Sequence, residues 1–468
     1  MLKAKGMAPS SSTAAGRPRE STSHDFAEKQ VIGRRIVAVA PAPSSFACRC
    51  TMHRTHSREP HTSAPARRRM AFLFAAAIDT SCPTDAAGNR LDQMDRSGHY
   101  ALWEEDFECA RQLGVTALRF GPAYYRTHIG PGRYDWESCE APMAWLRESS
   151  MALIAELCSF GTPKWLGGFQ DPAFPVLFAD YARAFAKRHP WVKYFMPVTR
   201  IGACARASGL QGEWNECLAS DAGYVRALRN LCMAHELAVE AILGERPDAI
   251  IIQNERIEYH HGAGQHARAE AERRNARELL AIDLTTGHEL APGLAGYLVD
   301  NGMKAHDLRF LREPRAVGQR WLGLEYTPLS ERRVASSGRI TTARQGFGFR
   351  RLATEYHGRY KLPLFHAGTQ PATRRPVPWL REQWKQVMAL RTVGVPVHGF
   401  TWLPLTDGVE MTTTAEGPRR APDGQGLYDL VRTPRPAAKV LRGLIERWSV
   451  ILGARSDSPV ALEGRSSA

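Results

Sequence analysis

The sequence predicts an α/β protein, a (β/α)8 TIM barrel behind a disordered basic N-terminal extension. Three observations carry that expectation. Short apolar runs alternate with longer amphipathic segments between residues 70 and 448. The runs are apolar on both faces and separated by helical patterns, as in parallel strands covered by helices. Eight such units follow one another over ~380 residues, which suits a closed barrel with long loops. A doubly wound sheet is the second choice, weakened because no run is followed by a Gly-rich turn able to cradle phosphate.

The first strand is expected at Phe72–Ile78, where Asp79 closes the apolar run. A helix at Ala101–Leu113 follows, with Leu102, Phe107, Ala110 and Leu113 at helical spacing. Strands two and three are expected at Ala117–Phe120 and Ala152–Leu157, followed by a helix at Phe174–Arg188. Strand four, Tyr194–Val198, hands over to Thr199 and Arg200, and a long helix is expected at Tyr224–Leu243. Ala249–Gln253 and Arg320–Leu324 read as strands five and six, with a helix at Phe347–Tyr360. Leu362–Ala367, a helix at Trp379–Leu390, strand eight at Val397–Thr401 and a helix at Ala437–Trp448 complete the series.

Composition narrows the function classes. Of the 468 residues 43% are hydrophobic, enough for a large core, and no apolar run reaches the ~18 residues of a membrane helix. The formal charge of +14 is uneven: residues 1–69 hold 13 Lys and Arg against 4 Asp and Glu, a net +9 that leaves +5 for the remainder. A nucleic-acid partner is therefore not expected, and neither is a membrane. Residues 1–69 are rich in Ser, Ala, Pro and Arg without a sustained period. They resemble a transit peptide in composition, but a tail without a folded role, or an upstream extension before Met70, is preferred. The folded domain is expected over residues 70–448 and a loose tail over 449–468. Nine scattered cysteines without a CxxC pair argue against a zinc site or disulfide framework and for a reducing compartment, the cytoplasm.

In a barrel, chemistry sits just past the carboxyl ends of the strands. Here those segments contain RFGPAYYRTHIGPGRYDW from Arg119, CSFGTPKWL from Cys158, MPVTRI from Met196, QNERIEYHH from Gln253, GLEYTP from Gly323, LFHAGTQ from Leu364 and FTWLPLTDGVE from Phe400. Together, over roughly residues 70–448, they resemble the family 1 glycoside hydrolases, the β-glucosidase-type barrels. The resemblance rests on ordered motifs spread over many strand ends, among them RFGPAYYRTHIGPGRYDW, which looks like the family's strand-two Arg and its Pro-x-Gly-x-Tyr-Asp-Trp run, and FTWLPLTDGVE, which looks like its strand-eight Trp loop.

The resemblance implies hydrolysis by two carboxylates, with the acid/base at Arg200 and the nucleophile at Gly368. Neither residue suits its role: arginine stays protonated and glycine has no side chain. The resemblance also implies a sugar site at Arg119, Ser159, Thr199, Trp402 and Glu410. Ser159 stands at a sugar-binding His, Thr199 at the Asn before the acid/base, and Thr327 at the Tyr that orients the nucleophile. Met411 stands at the Trp after the sugar-binding Glu. Trp402 is the implied sugar platform, with Trp165 as a weaker second. Glu255, Glu258, Glu325 and Asp407 are the other carboxylates near the mouth, each expected to be a solvated or structural loop residue. An open space is expected where Gly368 lacks a side chain, and Arg119 with Arg200 would favour an anionic sugar or phosphate.

The expected function is thus a glycosidase-like barrel with impaired catalysis that binds a saccharide at most. An active glycosidase with relocated carboxylates and a non-catalytic interaction protein are the alternatives. No cofactor or metal is expected. His260 and His261, with His266, match no tight ligand set, and an exposed helix start is the expected setting. Arg67–Arg69 lack interleaved aromatics, and Gly346-Phe-Gly-Phe lacks the GK[ST] of a phosphate loop.

Overall fold

The computed structural model describes residues 70–313, 318–343, 346–371, 375–414, 417–420 and 425–453, with the backbone alone at 409–414 and 417–420. Eight parallel strands close into a barrel in chain order. They are β1 (Leu73–Ala77), β2 (Ala117–Phe120), β3 (Ala152–Cys158) and β4 (Tyr194–Val198). They continue with β5 (Ile250–Arg256), β6 (Gln319–Glu325), β7 (Leu364–Gly368) and β8 (Val397–Trp402). β1 pairs with both β2 and β8, which closes the ring.

Side chains alternate across each strand, so a strand buried on both faces feeds two cores. Leu73, Ala75, Ala117, Ile154, Tyr194, Met196, Ile250, Ile252, Trp321, Phe365 and Ala367 pack inside the barrel. Their neighbours, among them Phe74, Leu118, Leu153, Phe195, Ile251, Leu322 and Phe400, pack outward into the larger core beneath the helices. This double burial is why the runs carry no polar face, and why their positions are legible.

Helices Trp103–Leu113, Glu137–Glu148, Phe174–Arg188 and Asp221–Glu245 occupy the first four crossovers. Gly348–Tyr360 and Pro376–Thr392 occupy the last two, and Pro436–Trp448 follows β8. Between β5 and β6 the chain adds Gln265–Glu278, Leu280–Thr286, Leu294–Asp300 and Ala305–Arg312, none of them expected from the sequence. Gln265–Glu278 buries only Ala267 and Ala271, so its apolar stripe is too thin to announce a helix.

Three small sheets decorate the carboxyl mouth. One is a hairpin of His128–Gly130 and Arg133–Tyr134; another joins Val409–Thr414 to Gly417–Arg420. The third joins Tyr259–Gly262, Glu331–Val334 and Ile340–Thr342. His260 and His261 lie on that last sheet rather than at an exposed helix start. Their strand is recruited by parallel pairing with Glu331–Val334, and His261 Nε2 meets Glu331 Oε2 at 2.7 Å. The Gly346–Gly348 turn holds the same carboxylate, through the N–H groups of Phe347 and Gly348 at 2.6 and 2.8 Å.

Residues 1–69 and 454–468, which carry the expected extension and most of the expected tail, lie outside the described residues. Among the described residues no helix is long and apolar enough to cross a membrane. No cluster of His, Cys, Asp or Glu among them has the makings of a metal site, and their seven cysteines are free.

Candidate functional site: a buried charge chain at the barrel mouth

The alternation that buries Ala117, Ile154, Ile252 and Trp321 inside the barrel carries upward to the carboxyl ends. Two positions beyond the first three stand Arg119, Glu156 and Asn254, and Glu325 closes β6 four positions after Trp321. A polar layer thus caps an apolar floor. Arg119 Nε donates to Glu156 Oε2 at 2.6 Å, and its Nη1 donates to Glu325 Oε1 at 2.7 Å and to the Ala367 carbonyl at 2.9 Å. Arg200 Nε donates to Glu325 Oε2 at 2.7 Å. Asn254 Nδ2 adds a bond to Glu325 Oε1 at 2.8 Å, and Thr199 Oγ1 donates to Glu156 Oε1 at 3.0 Å. The result is a chain of alternating charge, Glu156–Arg119–Glu325–Arg200, running from β3 through β2 and β6 to the end of β4.

The chain is dry: Arg119 is 0% exposed, Glu156 and Glu325 3%, and Arg200 5%. With little solvent to screen them, each charge depends on its neighbours. Burial alone would raise the Glu325 carboxyl; Arg200 and Arg119 outweigh it and hold the group well below the usual carboxylate range. Burial likewise opposes the positive charge of Arg200, and Glu325, Asp79 and Glu156 reverse that, so its guanidinium is charged at every accessible pH.

Backbone geometry fixes Arg200. Its φ of 56° lies in the left-handed region, uncommon for a residue with a side chain. The Asn254 carbonyl receives its N–H at 2.7 Å. The next residue of β5, Glu255, points to the other face and accepts the N–H groups of Ile201 and Gly202 at 3.2 and 3.1 Å. Burial pushes the Glu255 carboxyl up to about 8, although those two N–H bonds and Arg206 pull it down. β5 therefore clamps the turn after β4 from both sides, and the turn aims Arg200 at Glu325. On the opposite side of the layer Gly121 permits the close approach of β2 to β3, since a β-carbon there would lie 1.8 Å from the Glu156 carbonyl oxygen.

The residues singled out from the sequence distribute as follows. Arg119, Thr199 and Arg200 belong to the charge chain or touch it directly, and Ser159 Oγ lies 3.5 Å from Arg200 Nη1. Gly368 ends β7 beside Glu325, but the space there is not open. A β-carbon on Gly368 would stand 3.3 Å from Glu325 Cγ and 3.4 Å from Leu403 Cδ2. Trp402 is fully buried, and its indole N–H donates to the Gln425 carbonyl at 3.0 Å. Glu410 and Met411 lie on Val409–Thr414, and their side chains are outside the described residues. Thr327 is engaged locally, its N–H with Ser330 Oγ and its Oγ1 with the Leu329 N–H.

The other carboxylates separate into distinct settings. Glu325 is buried, not solvated, because two guanidiniums neutralise it. Glu258 pairs with Arg206 at 3.2 Å, and Asp407 pairs with Arg435 and accepts the Gly426 N–H at 2.8 Å. Two members of the layer, Glu156 and Asn254, escaped the sequence reading. The signal for both was present: each is a polar residue two positions past an inward apolar one, Glu156 in an otherwise apolar strand and Asn254 within the polar end of β5.

No family model matches the chain, and no curated protein matches it. Solved structures do. A β-glucosidase from Thermotoga maritima in complex with glucoimidazole superposes with a TM-score of 0.67 at 16% identity, over 80% of this chain and 98% of that one. The same organism's β-glucosidase in complex with castanospermine gives 0.66 at 15% identity, over 83% and 99%. A structure described as a family 1 β-glucosidase from that organism gives 0.66 at 15% identity, over 80% and 97%. At such identity the likeness is one of fold: over nearly the whole length of those structures the chain shares their closed eight-stranded barrel.

Proposed function

We propose that this barrel does not turn over glycosides and retains at most the binding of a saccharide. One observation carries the reading: the Arg119 guanidinium stands between the two carboxylates of the polar layer, Glu156 and Glu325. A retaining glycosidase needs its two carboxylates about 5–5.5 Å apart with the scissile bond between them. Here the positions implied for that pair carry Arg200 and Gly368, while the two carboxylates of the layer are bridged by Arg119 and Arg200 covers the second oxygen of Glu325. A carboxylate so neutralised is a weak nucleophile, and held ionised it has no proton to give. The covalent route and its proton donor are missing together, and each serves the same mechanism. Saccharide binding is supported by the fold and by the sugar-like ligands named for its structural neighbours. The free thiols support a reducing compartment, the cytoplasm.

The test is a panel of aryl β-glucoside, β-galactoside and β-fucoside with the purified chain, alongside a glycan array. We expect background hydrolysis and selective retention of a saccharide. Turnover at rates ordinary for glycosidases, typically 1–10³ s⁻¹, would establish the alternative of an active enzyme with relocated carboxylates. Silence on the array would leave a non-catalytic interaction protein.

A further inference from the structure

A second concave site lies at the mouth, built by the loops after β1, β2 and β3. Its volume is about 460 Å³, within the range of small-molecule sites. Arg90 and Asp92 come from the first loop, Tyr125, Arg126 and Ile129 from the second, and Lys164 and Trp165 from the third. Two features set its chemistry. The first is unbalanced charge: three cations line the cavity against one carboxylate. Arg90 donates to the Thr162 carbonyl and lies 5.4 Å over the Tyr125 ring, and Arg126 lies 4.2 Å over the Tyr100 ring. These contacts use carbonyl and ring partners, and although Asp92 offsets part of the charge on Arg126, the cavity keeps a net positive lining.

The second feature is a shortage of free acceptors. Asp92 Oδ1 accepts the Tyr125 hydroxyl at 2.7 Å and the N–H groups of Met94 and Asp95, and its Oδ2 accepts the Tyr100 hydroxyl at 3.1 Å. The His128 carbonyl accepts the Trp165 indole N–H at 2.6 Å, and the Thr162 carbonyl is taken by Arg90. A sugar needs acceptors for its hydroxyl protons as well as donors. This cavity offers donors, positive charge and apolar surface, with Trp165 38% and Ile129 47% exposed.

We propose that this cavity binds a small aromatic anion: a flat apolar ring packed on Trp165 and Ile129, carrying one carboxylate or phosphate group toward Arg126 and Lys164. The site is separate from the buried charge chain, and the inference stands whether or not the barrel binds a saccharide.

Calorimetry on the full chain tests it with benzoate and phenyl phosphate as probes, against benzyl alcohol, inorganic phosphate and glucose. Both aryl anions are expected to bind, at least about tenfold more tightly than benzyl alcohol or inorganic phosphate, a difference of about 1.4 kcal/mol. The exposed pair Arg126→Ala/Lys164→Ala should weaken them about tenfold or more, and added salt should weaken them as well. Trp165→Ala should weaken both anions alike. Equal binding of benzyl alcohol would overturn the anion requirement, and equal binding of inorganic phosphate the ring requirement. Displacement of benzoate by glucose, indifference to the substitutions, or silence of both aryl anions at millimolar concentration would each overturn the proposal.

Discussion

Arg119 Nη1 and Glu325 Oε1 stand 2.7 Å apart across the inside of the barrel, although 206 positions separate them in the chain. The same guanidinium holds Glu156, and the same carboxylate holds Arg200. Each inner member of the chain thus serves two partners of opposite sign. Such an arrangement tolerates burial only while it is complete, because removing one member strands its neighbours in a medium that solvates charge poorly. The polar layer consequently works as a plug in which the charges neutralise one another, although Arg119 Nη2 and Asn254 Oδ1 are left without a hydrogen-bond partner among the described residues.

Glu325→Ala is the most direct probe of that mutual dependence. It leaves Arg119 and Arg200 facing each other without their shared carboxylate. We expect a loss of about 3–5 kcal/mol, the usual penalty for breaking a buried pair. A fall in the urea midpoint with an unchanged slope would record it. A loss under about 1 kcal/mol would mean that water screens the group, as at exposed pairs.

Restoring the two substituted positions should not restore an enzyme. In Arg200→Glu/Gly368→Glu the new carboxylates join Glu156 and Glu325 around one remaining guanidinium of the chain, Arg119. The new side chain at 368 also starts against Glu325 Cγ and Leu403. We expect hydrolysis of an activated aryl β-glucoside to stay at background and stability to fall by about 1–3 kcal/mol from overpacking alone. Formate or azide should fail to rescue the parent chain for the same reasons. Turnover in the double variant would show that those two side chains were all that was missing.

The barrel was legible because double burial writes strands as plain apolar runs. The expected bounds of Ala117–Phe120 and Tyr194–Val198 coincide with β2 and β4. Gln265–Glu278 was not legible because it buries too little. Arg119, Ser159, Thr199 and Arg200 were found through the motifs in which they stand, and the fold gathers them. Glu156 was missed because a single polar residue inside a short apolar strand resembles an exception rather than a layer, and Asn254 because it stands in a polar run, Gln253 to Arg256, whose inward and outward members the sequence does not separate. The role of Glu325 was beyond sequence reasoning for a different reason. Its partners come from β2 and β4, and only closure of the ring brings strands two, four and six to one point.

Trp402 distinguishes a sugar platform from a packing residue. Its indole is fully buried and hydrogen-bonded to the Gln425 carbonyl. Trp402→Ala should therefore cost about 3–5 kcal/mol, as large aromatic truncations in cores do. Trp402→Phe keeps most of the volume but leaves the Gln425 carbonyl without its donor, for about 1–3 kcal/mol. Thermal or urea unfolding reads both. A stable Trp402→Ala variant that loses only saccharide binding would instead mark the ring as a ligand platform.

Glu255 links the clamp on Arg200 to pH. Burial raises its carboxyl from an ordinary value of 4.5 to about 8, against the N–H bonds from Gly202 and Ile201. Between those two values the folded chain keeps a proton that the unfolded chain has released. Stability from this group is therefore fully present below the lower value, falls as pH rises through the window, and levels off above the higher one. The slope is at most about 1.4 kcal/mol per pH unit. Glu255→Gln removes the ionisation while keeping one acceptor oxygen for the turn after β4. Unfolding free energies measured from pH 5 to 8 should decline more steeply for the parent than for the variant, so that the variant gains on the parent as pH rises. Parallel curves would show that Glu255 is already ionised across this range, and that the clamp holds a carboxylate instead of a carboxylic acid.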